Sequence, residues 1–277
     1  MVEPLGFEAV RAALTEDHVR EDVTTALLGA DADQPAVGTL IAEEACIVAG
    51  LPVAAEVFRQ LGLREQLELF VEDGAAVKAG QSIAEVRGPA RQVLAGERTA
   101  LNFLQRLSGI ATATRAVVDA VAGTGAVVTD TRKTTPGLRD LEKYAVRMGG
   151  GENHRAHLAD AVLWKDNHWA LLGDTPLGDV LAHAPAGIPV VVEAETEAQF
   201  RAALKAGVTR ILVDNLPPKQ VKAWVKKAGS GVAIEASGGI RPETARAYAE
   251  AGARYLSIGA LTHSVQAVAI RLDLTVG

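Results

Sequence analysis

Six short apolar runs in the second half of the chain each lead into residues that could do chemistry. Residues 126–128 run into Thr129-Asp-Thr-Arg-Lys133, and residues 161–164 into Lys165-Asp-Asn-His168. Residues 189–192 precede Glu193-Ala-Glu195, and 210–213 precede Asp214-Asn215. Residues 232–234 lead to Glu235-Ala-Ser-Gly-Gly239, and 254–258 to Gly259-Ala-Leu-Thr-His263. Early positions are cationic (Arg132, Lys133, Arg139, His154, Arg155, Lys165) and middle ones acidic (Glu193, Glu195, Asp214). Late ones are small: Ser237, Gly238, Gly239, Gly259 and Ala260. Arginine grips a carboxylate through two parallel hydrogen bonds. Paired carboxylates suit Mg²⁺ that is also held by substrate oxygens. Glycine lets backbone N–H groups approach a phosphate. A phosphorylated sugar diphosphate with Mg²⁺, beside a carboxylated partner, satisfies all three groups.

Each signal also has a plainer explanation. Residues 130–168 hold seven Lys/Arg against six Asp/Glu, so they form no basic patch, and a solvated helix face would account for Arg139, Lys143 and Arg147. Gly238-Gly239 alone would be an ordinary turn. His154 and His157 have i, i+3 spacing, but no third ligand for zinc is evident. His18, His157 and His183 read as surface or packing residues, and Trp164 and Trp169 as packing residues.

The elements between these groups give them a common place. Good helix formers at 196–206 and 242–251 separate apolar runs, the mark of βαβ units around a parallel sheet. Six such units predict a barrel related to the (β/α)₈ type, with an open doubly wound sheet as the alternative. In a barrel the carboxyl ends of all strands open on one face, where active sites form. The first half has another texture. A helix is predicted at 50–61, apolar runs lie at 67–71 and 82–86, and two glycines punctuate 72–80. A helical connector follows at 95–122, with an interruption at Ser108-Gly109.

With 277 residues, 48% of them hydrophobic, the chain can build one large core or two modest ones. A net charge of −6 argues against a bulk nucleic-acid binder. The single cysteine, Cys46, forbids an internal disulfide and reads as a buried thiol. The first 14 residues have no apolar signal core, and no run is long enough to span a bilayer, so a cytoplasmic location is expected.

Several blocks resemble the quinolinate phosphoribosyltransferase family. They are Glu21-Asp-Val-Thr-Thr25, Gly96-Glu-Arg-Thr-Ala-Leu-Asn102, Leu107-Ser-Gly-Ile110 and Asp130-Thr-Arg-Lys-Thr-Thr-Pro-Gly-Leu-Arg139. Lys143-Tyr-Ala-Val-Arg147, Gly149-Gly-Gly-Glu-Asn-His-Arg155, Lys165-Asp-Asn-His168, Glu235-Ala-Ser-Gly-Gly-Ile240 and Gly259-Ala-Leu-Thr-His-Ser264 follow in the family's order. The Thr-Arg-Lys-Thr and Gly-Gly-Gly-x-Asn-His-Arg blocks are the specific ones. One departure is Thr135, where the family is expected to carry Leu, at a position expected to point away from the site.

The resemblance implies an α/β protein with an N-terminal α/β sandwich (1–107) and a C-terminal incomplete (β/α) TIM-like barrel (108–264). A tail (265–277) would return to the first domain. It implies a homodimer in which Arg98 serves the neighbouring copy's site. Arg132, His154, Arg155 and Lys165 would bind quinolinate, with Lys133 between the substrates. Glu193 and Asp214 would meet the Mg²⁺ complex of phosphoribosyl pyrophosphate, and Ser237, Gly238, Gly239, Gly259 and Ala260 the 5′-phosphate. The catalytic set would be Lys133, Lys165, Glu193 and Asp214, with no organic cofactor. A paralogue using nicotinate or another ring is one rival, and the number of cations in the base pocket discriminates it. A non-catalytic barrel that binds phosphorylated metabolites is another, against which the gathered Lys and carboxylate groups argue.

Overall fold

The computed structural model describes residues 4–64 and 66–276. The chain forms two compact units. One comprises the chain up to Arg115, Thr135–Gly150 and the chain from Ser264 onward; the other comprises Ala116–Thr134 and Gly151–His263. The sequence reading assigned 135–150 to the barrel; here that segment groups with the first unit.

The strands in chain order are β1 (Pro35–Ala42), β2 (Cys46–Ile47), β3 (Leu67–Leu69), β4 (Ala76–Val77) and β5 (Ser82–Pro89). Then come β6 (Val127–Thr129), β7 (Val162–Trp164), β8 (Val190–Ala194), β9 (Arg210–Asp214), β10 (Ala233–Ser237), β11 (Tyr255–Ser257) and β12 (Ile270–Val276). In the first unit, an antiparallel sheet has the order β12-β1-β5-β3, with β2-β4 a separate pair. Burial along β1 alternates, as in a strand with one face on a core. Ala42 pairs with Ile270 and Ala36 with Val276, so the C-terminal segment completes the sheet edge. Helix Leu51–Gln60 opens after Gly50 and buries Val53, Val57 and Phe58.

Helix Ala90–Ala120 runs for 31 residues without the interruption expected at Ser108-Gly109. Ser108 is accommodated because its hydroxyl accepts from the Ala49 amide (3.0 Å) and donates to the Ala49 carbonyl (3.2 Å). Gly109 is retained for space: a β-carbon there would collide with the Gln266 backbone. Helix Arg139–Met148 is not the uniformly solvated face considered from sequence, since Glu142 and Lys143 are both buried. Glu142 accepts from Arg106 Nη2 (2.7 Å), the Thr135 hydroxyl (2.7 Å) and the Thr135 amide (3.1 Å). These bonds tie Thr135–Gly150 to the first unit across 36 residues of sequence.

The second unit holds six parallel strands in the order β6-β11-β10-β9-β8-β7. All six apolar runs read from sequence are strands. Six strands rather than eight make the barrel incomplete. β6 and β7 are the ends of the order, and a parallel bridge from Thr129 to Glu152 adds one residue pair beside β6. Parallel strands need covered faces; helices Glu197–Lys205, Pro218–Ala228 and Pro242–Glu250 supply Phe200, Val221, Trp224 and Ala245 to that cover. Phe200 and Trp224 stack at 4.6 Å between ring centroids. Among the described residues no helix is long and apolar enough to cross a membrane.

Candidate active site

Register decides which side chains of the second unit face one another. Glu193 on β8 pairs with Leu212 on β9, and Leu212 with Glu235 on β10. One layer on, Asp214 pairs with Ser237, and Ser257 with Thr129. Residues paired across parallel strands share a face, so these carboxylates and hydroxyls line one interior.

At the end of β7, Lys165 caps helix Asp166–Leu172 and accepts order from His168, whose Nδ1 takes the Lys165 N–H at 2.9 Å. Lys165 Nζ lies 3.3 Å from Glu193 Oε2. Burial pushes the Glu193 carboxyl above the usual glutamate range; Lys165 opposes this, and Asp214 and Asp166 add to it. Trp169 packs edge-on against Trp164 and donates its Nε1–H to the Glu193 carbonyl at 2.7 Å.

Asp214 accepts from the Asn215 side chain at 2.5 Å. Asn215 has a positive φ of 55°, and its amide donates to the Ser237 carbonyl at 2.9 Å. Gly238 also has a positive φ (93°), and a β-carbon there would collide with the Asn215 side chain. The acid of β9 and the glycine turn after β10 are thus one interlocked piece. Lys133 is exposed; its carbonyl accepts from Thr262 Oγ1 at 2.8 Å. Gly259 lies against the Lys133 stem, where a β-carbon would stand 3.0 Å from Cδ, and Ala260 begins the short helix Ala260–His263.

The loop after the Glu152 bridge is held by buried acids. Asp130 accepts from Asn153 Nδ2 (2.6 Å) and the His154 amide (2.8 Å). His154 Nδ1 accepts the Arg155 N–H at 2.8 Å, and its Nε2 lies 3.4 Å from Glu235 Oε1. Arg155 donates from Nη1 to the Ala161 carbonyl at 2.9 Å. Burial, and then the neighbouring positive charge of Arg132, hold Arg155 below the usual guanidinium range, with Asp160 opposing. Glu235 is fully buried: Arg210 donates to it at 2.7 Å, and Ser257 bonds the same carboxylate. Burial raises the Glu235 carboxyl, but His154, Arg210 and Ser257 outweigh it and hold the group below its ordinary range. Arg210 also stacks on Tyr255, 3.8 Å from the ring centroid.

The second unit therefore contains Arg132, Lys133, His154, Arg155, Lys165, Glu193, Asp214, Ser237, Gly238, Gly239, Gly259 and Ala260. Arg98 and Arg139 belong to the first unit, where Arg98 is exposed on helix Ala90–Ala120 and lines a cavity of about 360 Å³ with Arg106 and Asn102. Glu195 is exposed in the turn before helix Glu197–Lys205, and His18, His157 and His183 are exposed as well. Cys46 is buried, and burial pushes its thiol up. Sequence reasoning gave no role to Asp130, Asn153, Asn215 or Glu235. The available signal for Glu235 was a charged residue inside an apolar strand, where a buried acid needs partners.

The class defined by this fold and site is an α/β barrel that brings cations, acids and a glycine turn together in one unit. Family models match both parts of the chain: the quinolinate phosphoribosyl transferase N-terminal domain over residues 22–108 and its C-terminal domain over 110–273. The nicotinate-nucleotide pyrophosphorylase [carboxylating] of Mycobacterium leprae is 44% identical over 277 residues, covering 96% of each chain. The probable nicotinate-nucleotide pyrophosphorylase [carboxylating] of Bacillus subtilis is 44% identical over 245 residues, covering 88% of this chain and 85% of the relative. The crystal structure of NadC from Streptococcus pyogenes superposes with a TM-score of 0.92 at 38% identity over the full length of both chains. The chain belongs to the quinolinate phosphoribosyltransferase family, which are pentosyltransferases.

Proposed function

We infer that this enzyme transfers the phosphoribosyl group of phosphoribosyl pyrophosphate to quinolinate and decarboxylates the product. Nicotinate mononucleotide, CO₂ and pyrophosphate leave, a step of NAD biosynthesis. The observation that carries the substrate assignment is the match of both quinolinate phosphoribosyl transferase domains to this chain, with Arg132, Arg155 and Lys165 in one unit. Quinolinate carries two carboxylates, and a guanidinium grips a carboxylate through two parallel hydrogen bonds.

In this reading Arg132, Arg155 and Lys165 hold the dicarboxylate, with His154 in the same set and Lys133 between the two substrates. The pyridine nitrogen attacks the sugar carbon as the bond to pyrophosphate breaks. Glu193 and Asp214 face the positive charge that develops on the ribosyl ring, where little water competes. CO₂ then departs from the carbon next to the quaternary nitrogen; the electron pair stays on that carbon, stabilised by the adjacent positive charge, and takes up a proton. Ser237, Gly238, Gly239, Gly259 and Ala260 cradle the 5′-phosphate. Among the described residues no group of three or more His, Cys, Asp or Glu side chains gathers as a metal site. Glu193 and Asp214 offer two carboxylates, which fits Mg²⁺ held mainly by diphosphate oxygens, and the ion would neutralise charge on the leaving pyrophosphate. No organic cofactor is needed, because the charged ring nitrogen itself stabilises that pair.

The same proposal puts the enzyme in the cytoplasm as a homodimer, with Arg98 of each copy serving the other copy's site; its exposure and neighbouring cavity support that role. Mixing Arg98→Ala chains with Arg155→Ala chains should restore part of the activity, and verified mixed dimers without rescue would remove Arg98 from the site. The activity itself is tested by supplying quinolinate, phosphoribosyl pyrophosphate and Mg²⁺ with nicotinate as competing acceptor. CO₂ and nicotinate mononucleotide are expected from quinolinate; preferential use of nicotinate would overturn the assignment.

A further inference from the structure

We propose that Trp169 is a positioning residue for Glu193: its indole N–H holds the end of β8 so that the carboxylate stands against Lys165. This rests on the reading that Glu193 faces the positive charge developing on the ribosyl ring. Sequence reasoning gave Trp169 no task beyond packing. Its ring does pack, edge-on against Trp164 with 6.1 Å between centroids. The two tryptophans nevertheless differ in what their nitrogens do.

An indole nitrogen is a donor only. Trp169 Nε1 donates to the Glu193 carbonyl at 2.7 Å, whereas Trp164 Nε1 is buried with no hydrogen-bond partner among the described residues. Trp164 is the last residue of β7 and pairs with Val192, so β8 runs past the end of β7 from Glu193 onward. Glu193 is buried, and a buried backbone carbonyl needs a donor. The indole of Trp169 is that donor, at the residue whose side chain faces Lys165.

The same short helix, Asp166–Leu172, also fixes the other member of the pair. The Lys165 carbonyl accepts the His168 amide at 2.9 Å and the Trp169 amide at 3.0 Å, and His168 Nδ1 accepts the Lys165 N–H at 2.9 Å. Adjacent residues of one helix thus hold the backbone of Lys165 after β7 and of Glu193 in β8. The ion pair is too weak to do this alone. Lys165 Nζ lies 3.3 Å from Glu193 Oε2, but the lysine side chain is 44% exposed, and a pair so open to water holds little. The two backbones set the distance. A charge that serves a transition state must already stand in place, and a misplacement of about 1 Å can cost about a hundredfold in rate.

The test uses the full-length enzyme and Trp169→Phe, which keeps an aromatic ring against Trp164 and removes the donor. We expect kcat to fall about tenfold with both KM values within about twofold, because an interaction used only in the transition state lowers kcat and kcat/KM together. Trp164→Phe is the control and should keep kcat within about twofold, since its indole N–H is unused. If Trp169 acts through Glu193, adding Trp169→Phe to Glu193→Gln should lower single-turnover rates by less than about twofold more. A merely structural role would instead lower the thermal midpoint and the active fraction, and its effect would add in full to that of Glu193→Gln. Unchanged kcat in folded Trp169→Phe enzyme, or the full fall repeated on top of Glu193→Gln, overturns the proposal. Where the double variant is too slow to read, the split between kcat and KM in the single variant decides. If Trp169→Phe does not fold, benzothienylalanine at position 169, with sulphur in place of the indole N–H, is read in the same way. Wild-type enzyme that does not decarboxylate quinolinate would fail the proposed function instead, which is a separate outcome.

Discussion

Glu193 and Glu235 sit in the same layer of one barrel, both paired in register with Leu212, yet their protonation energetics run in opposite directions. Both are buried. Glu193 has one cation, Lys165, and two neighbouring acids, and its carboxyl is pushed up. Glu235 has Arg210, Ser257 and His154, and is held down. Burial alone disfavours a charge, and only partners reverse that. The difference separates an under-compensated acid, available to a developing cation, from a satisfied one that holds other groups in place. Glu142 in the first unit is of the satisfied kind, with Arg106 and Thr135 as its partners.

The signs for pH follow. Glu235, with a depressed folded pKa, contributes stability that is present above the unfolded pKa and is lost as pH falls through the folded value. Glu193, with a raised folded pKa, binds its proton more tightly folded than unfolded. It therefore costs stability above the folded pKa and recovers it as pH falls from there toward the unfolded value.

The comparison breaks most visibly at Glu235. Glu235→Ala leaves the Arg210 guanidinium without its carboxylate and should cost about 3–5 kcal/mol in urea unfolding; a loss under about 1 kcal/mol would show that the pair is not the anchor described. Arg132→Ala comes next, with a loss of roughly 2 kcal/mol or more in kcat/KM for quinolinate and little change in unfolding midpoint. Unchanged kinetics would take Arg132 out of the site. Gly238→Ala meets the Asn215 side chain at a left-handed backbone position. It should cost about 1–3 kcal/mol of stability and raise the KM for phosphoribosyl pyrophosphate; a normal KM would move the phosphate elsewhere. The smallest stability effect belongs to Glu193→Gln. At neutral pH it should be neutral or stabilising by up to about 1 kcal/mol, because a desolvated charge is removed, while kcat falls. A clear destabilisation would mean that Lys165 compensates Glu193 fully and that the two acids do not differ.

Much of this was legible in the residues. The runs at 126–128, 161–164 and 189–192 became β6, β7 and β8, as short apolar runs alternating with helix formers do in βαβ units. The polar groups after them were legible too, since a strand end at the mouth need not be apolar. Less could be seen where contact partners are far apart. Nothing local indicates that Thr135–Gly150 groups with the first unit, because the tie is Arg106 to Glu142. Likewise, Ser108-Gly109 looks like a helix break until Ala49 and Gln266 are seen to occupy the space beside it.

The order of side-chain types along the chain determined by itself that six strands alternate with helices and that cations, acids and glycines follow them in turn. Periodicity and turn chemistry act over a few residues, so they survive in one dimension. Which buried acid is held charged by its partners depended on neighbours as far as 81 residues away. That balance is a sum of desolvation and Coulomb interactions over a three-dimensional shell, and only the folded chain defines that shell.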